Sequence, residues 1–328
     1  MKFVGLDLGG VNSLACARDD AGAESFHASA CPERPSCVLF PLVRKEKTLA
    51  GDEALRNERG SGLVWPPLAM AAPDGWSRAT PPAQNGRVML ATVWQRLNTG
   101  DRWSDPQWQP PDSLPPVNKP TPAECLTAEV RSVLRRTHIN ATTAQVVLAV
   151  PNQLPEESQE SLLGRLPAGA RLVWRSVAAA MSWAETNAGH KSGNKHLAVL
   201  DAGLHGVEIS VFEFRQQEKD GQMFRVPVRR LNRLNFANTD TLLADSPAPF
   251  SRVLPDLAGL ESHLTKISNA VGGEAELLLC GPLAEPLFAL LQRRFPLCSW
   301  PVPDATAVAR GSCLFAWRLA CVRKTLRP

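Results

Sequence analysis

Two segments of the chain share one pattern, and this repeat constrains the fold more than any other feature. Residues 4–17 read VGLDLGGVNSLACA, and residues 196–214 read HLAVLDAGLHGVEISVFEF. Each segment is an apolar strand that ends in Asp-x-Gly, followed by a turn and a second strand. Because one such unit heads each half of the chain, we expect two related lobes.

The tips of these two hairpins carry the residues that we predict for binding. Gly9, Gly10, Asn12 and Ser13 follow Asp7 in the first unit, and glycine lets the main chain approach a ligand closely. Successive N–H groups at such a tip can hold a phosphate, and two facing aspartates can hold Mg²⁺. The repeat therefore favours a metal and nucleotide site between two lobes. A pair of plain glycine turns with hydrogen-bonded aspartates is the alternative.

Composition argues against several classes of protein. The net charge is only +4 over 328 residues and the basic residues form no long run, so we expect no nucleic-acid partner. The cysteines include no Cys-x-x-Cys pair, and Cys16, Cys280 and Cys313 lie in apolar stretches, as core residues do. No apolar stretch approaches the roughly 18 residues of a membrane span, and the start lacks a signal-peptide cleavage pattern. We therefore expect a cytoplasmic protein without membrane insertion.

Between the two units, the amino-acid composition of the chain changes twice. From about residue 61 to 122 it is rich in proline, which predicts loop or polyproline II around one helix near 87–98. Trp103 and Trp108 in this stretch either anchor a partner or pack back on the protein. From 122 onward, helical spacing of apolar residues predicts a helix, followed by the strand AQVVLAV. A further helix, a strand and the small-residue helix VAAAMSWAETNAG complete the first half.

Together these segments resemble the ATPase fold of actin and the sugar kinases, and within it the heat shock protein 70 (DnaK-type) family. The two hairpins are similar to that family's two phosphate hairpins. The segments that follow in the family's order include RPSCVLF, AGDEALRN, AQVVLAVPNQLPEESQESL, LLLCGPLAEPL and DATAVARGSCLFA. The resemblance implies an α/β, two-lobed actin-like fold of ribonuclease H-like repeats. Residues 1–188 would form the first lobe, with an insertion at about 61–122, and residues 189–328 the second.

The resemblance also implies a nucleotide site. ATP or ADP with Mg²⁺ would be the ligand, and Asp7 and Asp201 would hold the metal through water. The residues that the resemblance assigns to this site are Asp7, Gly9, Gly10, Asn12, Ser13, Asp201, Gly203 and Gly281.

Several residues depart from the family's pattern at this site. The first hairpin has Gly10 and Val11 in place of threonines, and Leu204 stands in the family's glycine run in the second. Arg175 stands where the family has a glutamate, and Ala284 where it has an arginine. No lysine is recognisable where the family's catalytic lysine would be sought. These departures all lower the expected affinity for phosphates.

The second half is also shorter than in the family. Only residues 202–280 separate Asp201 from Gly281, so we expect a reduced outer subdomain in the second lobe. The printed sequence stops just after the helix that closes the family's ATPase domain. We therefore expect no substrate-binding domain and no ordinary client-folding chaperone.

Three functions are open on the sequence alone. The first is a chaperone-like protein that binds Mg-ATP weakly, hydrolyses it little or not at all, and acts through a protein partner. The second is a pseudo-ATPase scaffold that binds no nucleotide, with a cleft that is empty or filled by Leu204, His205 and Arg175. The third is a phosphotransferase for a small substrate, for which His205 and Glu208 are the only candidate bases. We expect the partner surface at 61–120 or on the reduced second lobe.

Overall fold

Twelve strands and five helices have defined bounds in the computed structural model of the chain. The structure describes residues 2–8, 13–21, 24–26, 38–41, 49–50, 87–90, 122–140, 142–152, 154–187, 196–203, 206–219, 222–236, 262, 265, 275–281, 284–294, 296 and 300–325. The strands are β1 Lys2–Leu8, β2 Ser13–Arg18, β3 Glu24–Phe26, β4 Val38–Pro41, β5 Leu49–Ala50, β6 Arg87–Leu90, β7 Ala144–Val150, β8 Arg171–Trp174, β9 His196–Gly203, β10 Gly206–Lys219, β11 Gln222–Phe236 and β12 Ala275–Cys280. The helices are α1 Pro122–Arg136, α2 Glu156–Leu163, α3 Arg175–Thr186, α4 Ala284–Arg294 and α5 Ala307–Thr325.

A five-stranded mixed sheet contains the first Asp-x-Gly strand. Its strand order is β3-β2-β1-β7-β8. β1 pairs antiparallel with β2, and β2 with β3, whereas β1, β7 and β8 run parallel. β1 has a neighbouring strand at each edge and helices packed on both faces, so its residues are buried from Phe3 to Leu8.

A second mixed sheet repeats this order around the second Asp-x-Gly strand. Its strand order is β11-β10-β9-β12, with β9 antiparallel to β10, β10 antiparallel to β11, and β12 parallel to β9. The protein is therefore of the α/β class, with two mixed sheets that share one pattern of connections. The strands of both predicted hairpins are confirmed, and residues 9–12 and 204–205 between them lie outside the described residues.

The two faces of the first sheet pack against different helices. Val4, Leu6 and Leu8 share an apolar cluster with α1 and α2. The alternate residues of β1 face α5, where Phe3 joins a second apolar cluster. At Gly5 on that face, a side chain would overlap the Cys313 main chain of α5. The face that carries Phe3 and Gly5 is also the face of Asp7.

The second apolar cluster joins the two sheets through α3 and α5. It contains Val147 of the first sheet, Val199 of the second, and small residues of both helices. The helices cross at main-chain contact distance, because a side chain at Gly311 of α5 would overlap the carbonyl of Ala178 in α3. The sheets therefore share one core.

The predicted helix near 87–98 is wrong at its start. Arg87–Leu90 forms β6, which pairs antiparallel with β4 in a small sheet of order β5-β4-β6. Val88 lies opposite Phe40, a β-branched residue against an aromatic one. Cross-strand pairing of this kind outweighs a weak local preference for helix. Residues 91–121, with Trp103 and Trp108, lie outside the described part of the chain.

The other predicted elements are found where the apolar patterns placed them. In α1 the residues predicted for the core, Leu126, Val130, Val133 and Leu134, are buried. The buried cysteines Cys16, Cys280 and Cys313 are free thiols, as expected of core residues. The predicted boundary between lobes at 188/189 and most of the predicted reduced subdomain fall outside the described residues. Among the helices that the structure describes, none has the length and apolar character needed to cross a bilayer.

Candidate functional site

The carboxyl ends of the parallel strands in both sheets bring five predicted or polar residues to one place. β1, β7 and β8 run parallel, so Asp7, Asn152 and Arg175, which lie at or just beyond their ends, share one edge of the first sheet. In the second sheet Asp201 lies near the end of β9, and Gly281 directly follows its parallel neighbour β12. Strand ends of this kind are where open α/β sheets form sites.

Arg175 lies between the two aspartates and contacts both. Its Nε donates to Oδ2 of Asp201 at 2.6 Å and its Nη2 donates to Oδ1 of the same carboxylate at 3.1 Å. On the other side, Nη1 donates to Oδ1 of Asp7, and Nη2 lies 3.5 Å from Oδ2 of Asp7. One guanidinium thus pairs with a carboxylate from each sheet, in the fork geometry that suits arginine.

All three charged side chains are buried. Exposed fractions are 1% for Arg175, 3% for Asp7 and 1% for Asp201. Burial raises the pKa of Asp7 above its usual range, Arg175 opposes this, and the charge of Asp201 adds to it. Burial disfavours the charge of Arg175, but Asp201 and Asp7 outweigh that effect and raise the pKa of Arg175 well above its usual value. The guanidinium is therefore a permanent cation that is paired with a carboxyl group from each sheet.

Beside this ionic cluster, a chain of buried hydrogen bonds links the two sheets. Ser176 donates its hydroxyl to Oδ1 of Asn152 at 2.9 Å, and Nδ2 of Asn152 lies 3.4 Å from Oγ of Ser210. The Asn152 main-chain N–H donates to Oε2 of Glu208 at 3.4 Å. Glu208 lies opposite Asp201 in the β9–β10 register, so both are on one face of the second sheet. Glu208, a candidate base in the sequence, is thus held in a structural network.

Gly281 lies directly against Asp201. Its φ is +92°, which favours glycine. A side chain at this position would lie 2.5 Å from the Ala202 carbonyl oxygen and would also overlap the Asp201 carboxylate. The structure therefore brings Asp7, Asp201 and Gly281 together.

Ser13 is not part of this cluster. It lies opposite Leu8 in the β1–β2 register, whereas Asp7 lies opposite Leu14, so the two side chains are on opposite faces of the sheet. The Ser13 hydroxyl donates to Oε1 of the buried Glu129 in α1. The Ser13 side chain therefore lies on the face of the sheet away from Asp7.

The other predicted residues lie at the margin of the described chain. Gly203 ends β9 and lies opposite Gly206 in the register. The remaining predicted residues of the hairpin tips, which are Gly9, Gly10, Asn12, Leu204 and His205, lie outside the described residues.

Cys280 is a buried cysteine beside the ionic cluster. Cys280 lies opposite Asp201 in the parallel register of β12 and β9. Burial raises the pKa of its thiol well above the usual value, and the charge of Asp201 raises it further. Because the thiolate is the reactive form, Cys280 acts as a core residue.

The residues present do not fit a hydrated Mg²⁺ between Asp7 and Asp201. A metal that binds through water needs carboxylates that face solvent-filled space, and both carboxylates here are buried and paired with Arg175. The fixed guanidinium would repel a divalent cation. In the described part of the chain, no three His, Cys, Asp or Glu side chains cluster as metal ligands do.

Sequence reasoning found part of this site. Asp7, Asp201, Gly281 and the position of Arg175 were singled out, but the double ion pair of Arg175 was not. The signal was the place of Arg175 in the sequence, because a residue that directly follows a parallel strand and begins a helix lies at the site edge. Asn152 lies two residues beyond the end of β7, so its position carried the same signal. For Ser210 the sequence carries no signal except its position two residues after Glu208.

Comparison of the sequence with protein-family models and with curated proteins returned no match. The ionic cluster of Asp7, Arg175 and Asp201 therefore carries the functional argument.

Proposed function

We propose that this protein is a pseudo-ATPase of the two-lobed actin-like fold, similar to the nucleotide-binding domain of the heat shock protein 70 family, and that it binds no Mg-nucleotide. The observation that carries the proposal is the position of Arg175, whose guanidinium lies between Asp7 and Asp201 where the resemblance calls for a metal. We infer that it acts as a protein-binding scaffold in the cytoplasm.

The connections of the two sheets support the actin-like fold in this proposal. Both have an antiparallel hairpin, a third antiparallel strand beside the second, and a parallel strand on the other side of the first. The first sheet adds β8 parallel to β7. This is the strand pattern of a ribonuclease H-like repeat, and its presence twice in one chain is what two related lobes require.

The energetics of the cluster support the loss of metal binding. A metal would have to displace a guanidinium that makes charge-assisted hydrogen bonds to two carboxylates, and such bonds are roughly twice as strong as neutral ones. The displaced arginine would also need a new partner, because a buried charge without one costs several kcal/mol. Arg175 is buried on every side, so leaving the cluster requires movement of the β8–α3 junction.

The same cluster supports a scaffold of fixed shape. Arg175 ties β1 of the first sheet to β9 of the second, and Asn152 ties the end of β7 to β10. The shared core of α3 and α5 lies beside these contacts. Because residues of the chain itself make these contacts between the two halves, we expect one arrangement for a partner to recognise.

Weak Mg-nucleotide binding is the second candidate function. It is favoured by the convergence of Asp7, Asp201 and Gly281, the two carboxylates and the glycine that the resemblance assigns to the nucleotide site. In this alternative Arg175 would have to leave both carboxylates when the nucleotide enters.

Calorimetric titration of the purified chain with Mg-ATP and Mg-ADP separates the two candidates. We expect no saturable heat and no rise in the melting temperature at millimolar nucleotide, because a ligand of the folded state would stabilise it. The same titration on Asp201→Asn tests any binding that is seen. Saturable binding at micromolar nucleotide that disappears in Asp201→Asn would contradict the scaffold proposal and support the second candidate.

A further inference from the structure

The segment that leads into α5 is restricted by two prolines. Residues 300–304 read WPVPD and have neither helical nor strand structure. Proline fixes its own φ at about −65° and keeps the residue before it out of the helical region. Because Pro301 and Pro303 alternate with Trp300 and Val302, the covalent structure alone restricts the backbone of these residues to extended and polyproline II conformations. We call residues 300–304 the proline strap.

The C-terminal end of the proline strap is anchored to the second sheet and to α5. The main-chain N–H of Asp304 donates to the carbonyl oxygen of Leu279 in β12 at 2.9 Å. The Asp304 carboxylate accepts from the main-chain N–H and the hydroxyl of Thr306 at 2.9 Å and 2.7 Å. It also accepts from Nη1 of Arg310 in α5 at 3.2 Å. The strap is therefore fixed beside the carboxyl end of β12, in the half of the chain predicted as the second lobe.

Val302 projects from the proline strap into solvent. It is 81% exposed, whereas the other large apolar residues that are exposed among the described side chains, Leu163 and Trp174, are 39% and 41% exposed. Single apolar residues at a surface are common. Val302 differs because a backbone that is restricted by prolines and anchored at Asp304 has little freedom to turn it back against the protein. The strap therefore presents an apolar side chain in a fixed position.

The chemistry of the proline strap fits an apolar site on another protein. Residues 300–303 carry no charge, and the carboxylate of Asp304 is paired with Arg310. A nucleic acid binds through basic residues that neutralise its phosphates, and the strap offers none. Grooves lined by aromatic side chains, in contrast, bind polyproline II segments because these segments already have the bound conformation. Little further backbone order is then needed on binding.

We propose that the proline strap docks into an aromatic-lined groove of a partner protein, with Val302 and the two flanking prolines as the contact. The proposal rests on the proposed function in taking a protein partner as the means of action, and it states the kind of surface that this partner has. The exposure of Val302 and the restricted backbone on both sides of it carry the proposal.

Photo-crosslinking in the cells from which the chain comes tests the strap on the full chain. The probe is p-benzoylphenylalanine in place of Val302. The control carries the same group in place of Leu163, an exposed apolar residue of α2 outside the strap. We expect a protein to be joined through position 302 and not through position 163. Mass spectrometry of the joined peptides should place the attachment in an aromatic-lined groove of that protein.

Calorimetric titration of the purified pair then measures what the strap contributes. Val302→Asp should weaken binding by at least about tenfold, because it brings a charge into an apolar groove, whereas Val302→Ile should bind as the unaltered chain does. The matched control Ala168→Asp adds the same charge in an exposed loop and should leave the affinity unchanged. Pro301→Ala with Pro303→Ala keeps Val302 but frees the backbone, and should weaken binding about threefold or more. Val302→Asp should melt as the unaltered chain does, since the site is exposed.

Four outcomes would overturn the proposal. They are the absence of a product specific to position 302, a product with a lipid, a nucleic acid or a second copy of this chain, attachment outside an aromatic-lined groove, and equal affinity of Val302→Asp and Ala168→Asp. The nucleotide titration is made separately and does not depend on the strap. A chain that docks through Val302 and also binds Mg-ATP would refute the pseudo-ATPase and leave the proline strap in place as a docking segment.

Discussion

Arg175 and Arg18 each pair with two carboxylates, but they lie in different surroundings. Arg175 and both of its partners are almost completely buried. The Arg18 side chain is 9% exposed, and its partners Glu24 and Glu185 are 25% and 35% exposed. Arg18 donates to Glu24 at 3.1 Å and 2.7 Å, lies 3.6 Å from Glu185, and stacks 5.4 Å from the centre of the Trp317 ring.

The difference in burial decides what each arginine contributes. Glu24 and Glu185 keep contact with water, so they can be rehydrated if Arg18 is lost, and exposed pairs contribute about 0 to 1 kcal/mol. Asp7 and Asp201 are buried and cannot be rehydrated, so Arg175 compensates for the desolvation cost of the two carboxylates. Arg18 links β2 to β3 and to α3. Arg175 makes the contact between the sheets possible.

The largest expected effect is that of removing Arg175. Arg175→Gln should lower the free energy of unfolding by about 3–5 kcal/mol at pH 7, because it leaves two buried carboxylates facing each other without a cation. Urea denaturation followed by tryptophan fluorescence measures this. Arg171→Gln, four residues earlier at an exposed site, is the matched control and should change the free energy by less than about 0.5 kcal/mol.

A neutral version of the cluster keeps this prediction testable if Arg175→Gln does not fold. Asp7→Asn, Asp201→Asn and Arg175→Met together remove all three charges, and such replacements of buried ion pairs are often tolerated. The triple variant should fold and should be more stable than Arg175→Gln. If Arg175→Gln lowers the free energy of unfolding by less than about 1 kcal/mol, the stability of the chain does not depend on the buried cluster as its burial indicates.

The pH dependence of Arg175→Gln should identify the carboxylates as the cause. Burial and Asp201 raise the pKa of folded Asp7, and Arg175 opposes them, so its loss raises the pKa further. The unfolded chain has the ordinary value of 3.8. Between these two pKa values the folded variant binds more protons than the unfolded one, so its stability rises as the pH falls.

The measurement is the difference in free energy of unfolding between the unaltered chain and Arg175→Gln at pH 7 and at pH 5. The difference should narrow by at least about 1 kcal/mol at the lower pH, since one pKa unit corresponds to about 1.4 kcal/mol. If the difference is the same at both pH values, the loss comes from packing rather than from charge.

The fold could be predicted from the sequence where local pattern and tertiary context agree. The strands of both hairpins, the amphipathic α1 and the buried β7 follow from the spacing of apolar residues. β6 was mistaken for helix because its pairing partner β4 lies far away in the sequence. β11 is not among the predicted strands, although Asp220-Gly221 before it is a typical hairpin turn signal.

The position of the site could be predicted from the sequence, but the ion pairs of Arg175 could not. The repeat of Asp-x-Gly brings Asp7 and Asp201 to the strand ends, and this follows from the topology that the repeat implies. Ser13 was assigned to the same place, but the register at the turn puts its side chain on the other face, and residue types do not reveal that parity. The bridge by Arg175 depends on how close the two sheets lie, which is a property of the packed core.

The smallest expected effect, and the one that sharpens the comparison most, is that of Arg18→Gln. It removes the same charge as Arg175→Gln from a site with the same number of carboxylate partners. The two sites differ in burial and in the second arginine that each glutamate contacts, Arg310 for Glu24 and Arg318 for Glu185. The loss should be about 1 kcal/mol, from ion pairs whose glutamates are partly exposed and from the stacking on Trp317.

High salt should reduce the effect of Arg18→Gln but not that of Arg175→Gln, because ions screen exposed pairs and do not reach buried ones. Unfolding of both variants in low salt and in about 1 M salt gives the four values that are needed. An Arg18→Gln loss as large as that of Arg175→Gln would mean that coupling through Glu185 to Arg318, at 2.6 Å, makes the peripheral charges act as a unit. The stability of the chain would then depend on charge networks in general, and the argument that Arg175 has a special place between the sheets would lose its support.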